Sequence, residues 1–142
     1  MYTLGVSDHI MIAHRIADPA FGRAQQLHGA TYSIVVEVRV PQLGPHSVVM
    51  DIGLLRSLLR SVLDELDYCN LDEHPAFAGL VSTTERVVEH VAARMAERLV
   101  ATDSDPGGLR NGSLRVTAHE SPVAYAAYER PIHVDAPQRH PT

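Results

Sequence analysis

Two spacings of apolar residues divide the chain into strands and helices. From Tyr2 to His14 the positions alternate, with Ile10, Ile12 and His14 on one side of an extended strand and Met11 and Ala13 on the other. Thr31 to Val40 alternates more strictly: Tyr32, Ile34, Val36, Val38 and Val40 point one way, and Ser33, Val35, Glu37 and Arg39 the other. One face of this strand is therefore buried. Between the two, Pro19 and Gly22 interrupt regular structure, and Asp18 to Gln26 reads as a loop. After a turn-rich stretch at Pro41 to His46, Val48 to Met50 is expected to resume the sheet as an antiparallel strand.

The spacing then changes to three and four. Leu54, Leu55, Leu58, Leu59, Val62, Leu63 and Leu66 form one broad apolar face behind Asp51, which reads as a helix N-cap. A second helix is expected after Ser82, with Glu85 three positions on completing a capping box. Val87, Val88, Val91, Ala92, Met95 and Leu99 supply its buried stripe. Thr102 to Gly112 reads as a polar loop. Leu114, Val116, Ala118 and Glu120 then share one side of a strand, and Tyr125 to Arg130 pairs back after the Ser121-Pro122 turn. Alternation sets His119 opposite Glu120, so the two serve one pocket only across a bulge or a subunit boundary.

These elements predict a single α+β domain over residues 1–130 in the order ββααββ. Two helices cover one face of a four-stranded antiparallel sheet whose edges remain open for pairing, which favours a homo-oligomer. Residues 131–142 are polar and proline-rich, and read as a flexible C-terminal tail. A formal charge of -5 leaves no surplus of Lys and Arg to replace counterions, which argues against nucleic-acid binding but not against a small ligand. No apolar run approaches the ~20 residues that span a bilayer, and the N-terminus lacks an export pattern. Cys69 is the single cysteine, so no intrachain disulfide is possible and a cytoplasmic location is expected.

Six short motifs lie in a fixed order: IAHR (Ile12 to Arg15), LHGATY (Leu27 to Tyr32), VVMDIGLLRSLL (Val48 to Leu59), LDYCNLDEHP (Leu66 to Pro75), VSTTE (Val81 to Glu85) and HES (His119 to Ser121). Together they resemble the 6-pyruvoyltetrahydropterin synthase and 6-carboxy-7,8-dihydropterin synthase family over most of Met11 to Tyr128. The resemblance implies the tunnelling fold, in which sheets of several subunits join into a barrel. A homohexamer or another homo-oligomer with sites between subunits is implied with it.

It further implies that Glu120 anchors the amino-pyrimidine part of a pterin, because a carboxylate accepts from adjacent ring N–H groups. Thr83 and Thr84 are implied as secondary substrate contacts. Of the three histidines that hold zinc in the family, His14 and His28 match two, and Ala30 stands at the third. The catalytic cysteine position falls at Ala24, and the Asp-His pair at Asp67 and Tyr68. A tyrosine, with an ordinary pKa near 10, is a poor proton relay at neutral pH.

The expected function is a divergent lyase or cyclising enzyme of specialised metabolism acting on a pterin-like or other nitrogen heteroaromatic substrate. Glu120, Asp67, Tyr68, His28 and His14 are the candidate catalytic residues, and the cofactor is expected to be either none or zinc. One alternative is a zinc-dependent synthase with an unusual metal shell on His14 and His28. The other is a noncatalytic heterocycle-binding or assembly protein.

Overall fold

The computed structural model describes residues 1–102 and 108–134. In chain order it has β1 (Tyr2–His14), β2 (His28–Val40), α1 (Ile52–Asp64), β3 (Cys69–Asn70), α2 (Thr84–Thr102), β4 (Ser113–Ser121) and β5 (Ala124–Pro131). The strands form one sheet in the order β3-β1-β2-β4-β5. β1 and β2 pair antiparallel along their whole length, from Tyr2 opposite Val40 to His14 opposite His28.

That register sets Val6, Ile10 and Ile12 on the same face as Tyr32, Ile34, Val36 and Val38, and β4 adds Leu114, Val116 and Ala118. Both helices pack on this face. Leu55, Leu59, Val62 and Leu63 of α1 and Val87, Val91, Met95 and Leu99 of α2 are buried against it. At about 1.5–3 kcal/mol per buried aliphatic side chain, this layer is the main stabilising element of the domain. The opposite face carries Ser7, His9, Thr31, Ser33 and His119 and is covered by no element among the described residues. The sheet edges are β5 and the outer side of β1, where β3 pairs only with Ile12 and Ala13.

Four local readings are corrected. The sheet has five strands rather than four, and the order is ββαβαββ: β3 is two residues long and parallel to β1, too short to show a period. Val48 to Met50 forms no strand; the positive φ of His46 and Ser47 turns the chain, and Asp51 caps α1 directly afterwards by accepting from Leu54 N–H at 2.8 Å. Asp18 to Gln26 holds a 3-10 segment, Pro19–Gln25, capped by the Asp18 side chain.

The Ser82–Glu85 capping box does not form. The α2 helix begins one residue later, and Thr83 Oγ1 accepts from Arg86 N–H at 3.4 Å, while the Ser82 hydroxyl is drawn to Asp72. Of the predicted 102–112 loop, residues 103–107 lie outside the described residues, and Leu109 is buried. Packing continues past Pro131: Ile132 is buried and its N–H donates to Gly112 O at 3.1 Å. Residues 135–142 of the predicted tail lie outside the described residues.

Candidate functional site

A cavity of about 320 Å³ opens where the β1–β2 pair meets the first turn of α2. Strand alternation builds its floor, since His28, Ala30 and Tyr32 follow one another on the same face of β2, and His14 stands beside His28 across the strand pair. Thr83, Thr84 and Glu85 enter from α2, Glu120 from the end of β4, and Ile16, Phe21 and Ala24 from the segment after β1.

At one end the Thr84 hydroxyl donates to the Glu120 carboxylate. The Tyr32 hydroxyl lies 3.4 Å from Thr84 Oγ1. Because the Thr84 hydrogen is already given to a carboxylate, Thr84 accepts from Tyr32, and the three groups form a directed chain ending on Glu120. Burial holds the Tyr32 phenol above its ordinary pKa, so it stays a donor. Glu120 is exposed at the mouth of the cavity, at a register shift between His119 and Ser121. This bulge is the irregularity that alternation requires for residues 119 and 120 to be used together. The two side chains still diverge: His119 lies on the open face, 5.3 Å from the Tyr125 ring and in a hollow that also borders Glu120.

At the other end the His14 and His28 rings meet edge to face with centroids 4.6 Å apart. His14 Nδ1 donates to Ser82 O at 2.8 Å, and His28 Nδ1 donates to Gln26 O at 2.8 Å. A carbonyl can only accept, so each neutral ring carries its proton on Nδ1 and leaves the Nε2 lone pair free. Behind His14, Ser82 Oγ donates to Asp72 Oδ1 at 2.8 Å, and Arg15 N–H donates to Asp72 Oδ2 at 2.6 Å. Burial pushes the His14 imidazole below its ordinary pKa and His28 adds to this, while the Ser82 carbonyl, Asp72 and Glu120 pull the other way.

Glu120, Thr83, Thr84, His14 and His28 thus line one cavity. Asp67 and Tyr68 do not line it within a single chain. Asp67 accepts from Met11 N–H at 2.9 Å and pairs with Arg60 at 3.0 Å; Tyr68 is 83% exposed at the β1 edge, with its N–H on Met11 O. Cys69 is half-buried, with its thiol near the Glu65 and Asp67 carbonyls. The sequence marks none of Tyr32, Ser82 and Asp72 as a site residue, and Ser82 only as a helix cap. Tyr32 reads as core, and the Ser82–Asp72 contact joins residues ten apart that no local pattern links.

The zinc that the resemblance implies can be tested against these donors. Two Nε2 atoms are available, but the third position, Ala30, presents a methyl group. Among the described residues no group of three His, Cys, Asp or Glu is placed to hold a metal ion. A zinc site ordinarily takes at least three protein ligands, so the residues present do not fit a three-histidine centre.

Comparison with known proteins places this architecture. Among solved structures, 6-pyruvoyl tetrahydropterin synthase of Caenorhabditis elegans is 29% identical, with a TM-score of 0.70 over 91% of this chain and 95% of that one. The Plasmodium vivax protein of the same name is 20% identical with a TM-score of 0.71, over 92% and 98% of the two chains. The Plasmodium falciparum protein gives 19% and 0.68, over 90% and 98%. A comparison with curated proteins finds no significant match. The family model described as 6-pyruvoyl tetrahydropterin synthase matches residues 3–131, and the chain therefore belongs to that family.

Proposed function

We propose that the protein is an enzyme that holds a pterin-like, nitrogen-rich aromatic ring on Glu120 and moves a proton at the ring's substituent with the His14–His28 pair. The observation that carries this reading is the division of one cavity into a carboxylate end and an imidazole end. The Thr84 hydroxyl fixes one face of the Glu120 carboxylate and leaves its remaining lone pairs for ring N–H donors.

With the ring anchored, the carbon next to it lies toward the free Nε2 atoms. One imidazole takes a proton from that carbon. The electron pair left behind either expels a leaving group from the neighbouring carbon, as in a lyase, or moves into the ring ahead of cyclisation. The imidazolium returns the proton to the departing or newly formed anion. With the two rings 4.6 Å apart, His28 disfavours the charged form of His14.

The free edges of β1 and β5 support a homo-oligomer. Asp67 and Tyr68 sit on the β1 edge, and in a homo-oligomer paired through that edge they would complete a site between subunits. No helix of the described residues is long and apolar enough to cross a membrane.

A product-mass screen of the purified oligomer against pterins and related bicyclic amines tests the reading. Turnover should fall about 100- to 10,000-fold in His14→Gln, as expected for loss of a general base, with ring binding retained. Tight ring binding without turnover of any substrate would make the protein a binder. Failure to bind any such ring would overturn the assignment.

One observation favours a second reading, a zinc-dependent synthase whose metal shell is completed from outside the chain. Both histidines give Nδ1–H to carbonyls, as metal-ligating histidines do. Metal analysis separates the two: stoichiometric zinc lost in both His14→Ala and His28→Ala supports the second reading.

A further inference from the structure

The cavity floor is one strand face, and this gives the substrate a length. At about 3.3 Å per residue, Tyr32 and His28 stand roughly 13 Å apart along β2, with Ala30 between them. Glu120 lies at the Tyr32 end, since Ser33 pairs with His119. A bicyclic ring anchored on Glu120 therefore covers Tyr32 and ends over Ala30, leaving the length from Ala30 to His28 for its substituent.

The surface that meets this second part is apolar. Ala30 packs against the core from the floor, and Ile16, Phe21 and Ala24 form the wall. Ile16 N–H donates to Ala24 O at 2.7 Å, which ties the two ends of this wall together. Phe21 is 47% exposed, leaving ring surface that a ligand can cover. On this floor and wall the side-chain polar groups are the two Nε2 atoms, while Thr83, Thr84 and Glu85 line the cavity from the α2 side. A hydroxylated chain lying against Ile16, Phe21, Ala24 and Ala30 would lose water from its hydroxyls and find no acceptor on those four side chains, an unfavourable exchange.

We propose that the substrate is a planar nitrogen heteroaromatic ring carrying, through a C–H carbon, a bulky apolar group, aromatic or branched aliphatic, that lies on Ala30 between Ile16, Phe21 and Ala24. The inference rests on the ring-holding reading above and supplies the other half of the molecule. The first carbon of the substituent then sits at the junction of ring and wall, beside the imidazole pair. Apolar contact on both sides of it excludes water from the carbon that loses the proton.

Direct titration of the full chain with three ligands sharing one ring tests this: pterin, neopterin with its hydroxylated chain, and 6-phenylpterin. Each buried methylene equivalent contributes about fourfold in affinity, so 6-phenylpterin should bind at least tenfold more tightly than pterin, with neopterin no tighter than pterin. Ala30→Leu and Ala24→Leu fill the apolar end from two separate segments. Each should reduce the preference for 6-phenylpterin at least fivefold, judged on variants whose melting stays cooperative.

Neopterin binding as tightly as 6-phenylpterin would overturn the inference and leave the ring-holding reading standing. A preference unchanged in both leucine variants would do the same. Absence of binding by all three ligands would overturn both readings together.

Discussion

Glu120→Gln is the substitution that most directly tests ring recognition, because it preserves shape and changes only charge and one acceptor. A ring N–H with its neighbouring exocyclic amine gives the carboxylate two charge-assisted hydrogen bonds, each contributing about 1.5–3 kcal/mol. The glutamine oxygen keeps one of them as an ordinary bond of about 1 kcal/mol, and its NH₂ group opposes a second donor. The loss is then about 2–5 kcal/mol, roughly 30- to 5,000-fold in Kd. Glu120 is exposed at the cavity mouth, where water competes in the free protein, so the lower end applies.

Thr84 contributes by holding the carboxylate in place, and Thr84→Val should weaken binding about fivefold, a loss of about 1 kcal/mol. Fluorescence quenching of pterin on titration reads both effects. If Thr84 acts through Glu120, the double variant should bind no more weakly than Glu120→Gln alone. A Kd for Glu120→Gln within threefold of the parent, or additive losses in the double variant, would refute the anchoring role.

Three further outcomes are expected. Asp72→Ala should lower stability in urea melts by about 1–3 kcal/mol, since it strips the acceptor from the buried Ser82 hydroxyl and from Arg15 N–H. Burial holds His90 below its ordinary pKa, with His74 adding to this, so the unfolded chain takes up its proton first as pH falls. Stability should be full above about pH 6.5 and decline below it, with a shallower decline in thermal melts of His90→Phe, which removes the buried, unpartnered Nε2 beside Phe77. His14 shifts in the same direction, so part of the slope should remain. Tyr68→Gly should raise stability by about 0.5–1 kcal/mol by relieving a positive φ of 58°. If Asp67 and Tyr68 serve a neighbouring subunit's cavity, the same variant should lower turnover without weakening ring binding.

The sequence revealed what one dominant layer of packing controls. Every strand long enough to alternate faces the same helices, so β1, β2 and β4 were readable from Ile10, Tyr32 and Leu114 onward, and so was the face of each helix. What it concealed was decided by partners distant in sequence. Strand β3 exists because Tyr68 N–H reaches Met11 O and Cys69 aligns with Ile12, contacts that two residues cannot advertise. In VSTTE three hydroxyl residues stand together, and Asp72 determines which of them is free to cap α2 by taking Ser82. The cavity was legible where motifs marked His14, His28, Thr83, Thr84 and Glu120. Tyr32 was hidden because a strand core position and a hydrogen-bond donor are the same residue here.

The changed positions are all ones at which the fold is indifferent to the side chain. Ala30 keeps its place in β2 opposite Ile12, and the alternation His28, Ala30, Tyr32 holds whether residue 30 carries an imidazole or a methyl. Ala24 contributes a backbone carbonyl to Ile16, a bond that any residue can make. Tyr68 is 83% exposed, and its backbone N–H, rather than its ring, ties it to Met11. Chemistry can change at such sites without altering the cavity around them. Glu120 and Thr84 differ, because their side-chain hydrogen bond fixes the orientation that the proposed ring recognition needs. On the proposed reading, a chain that keeps the second set while varying the first retains a place for the ring and frees the reaction to follow whatever substituent the wall of Ile16, Phe21 and Ala24 accepts.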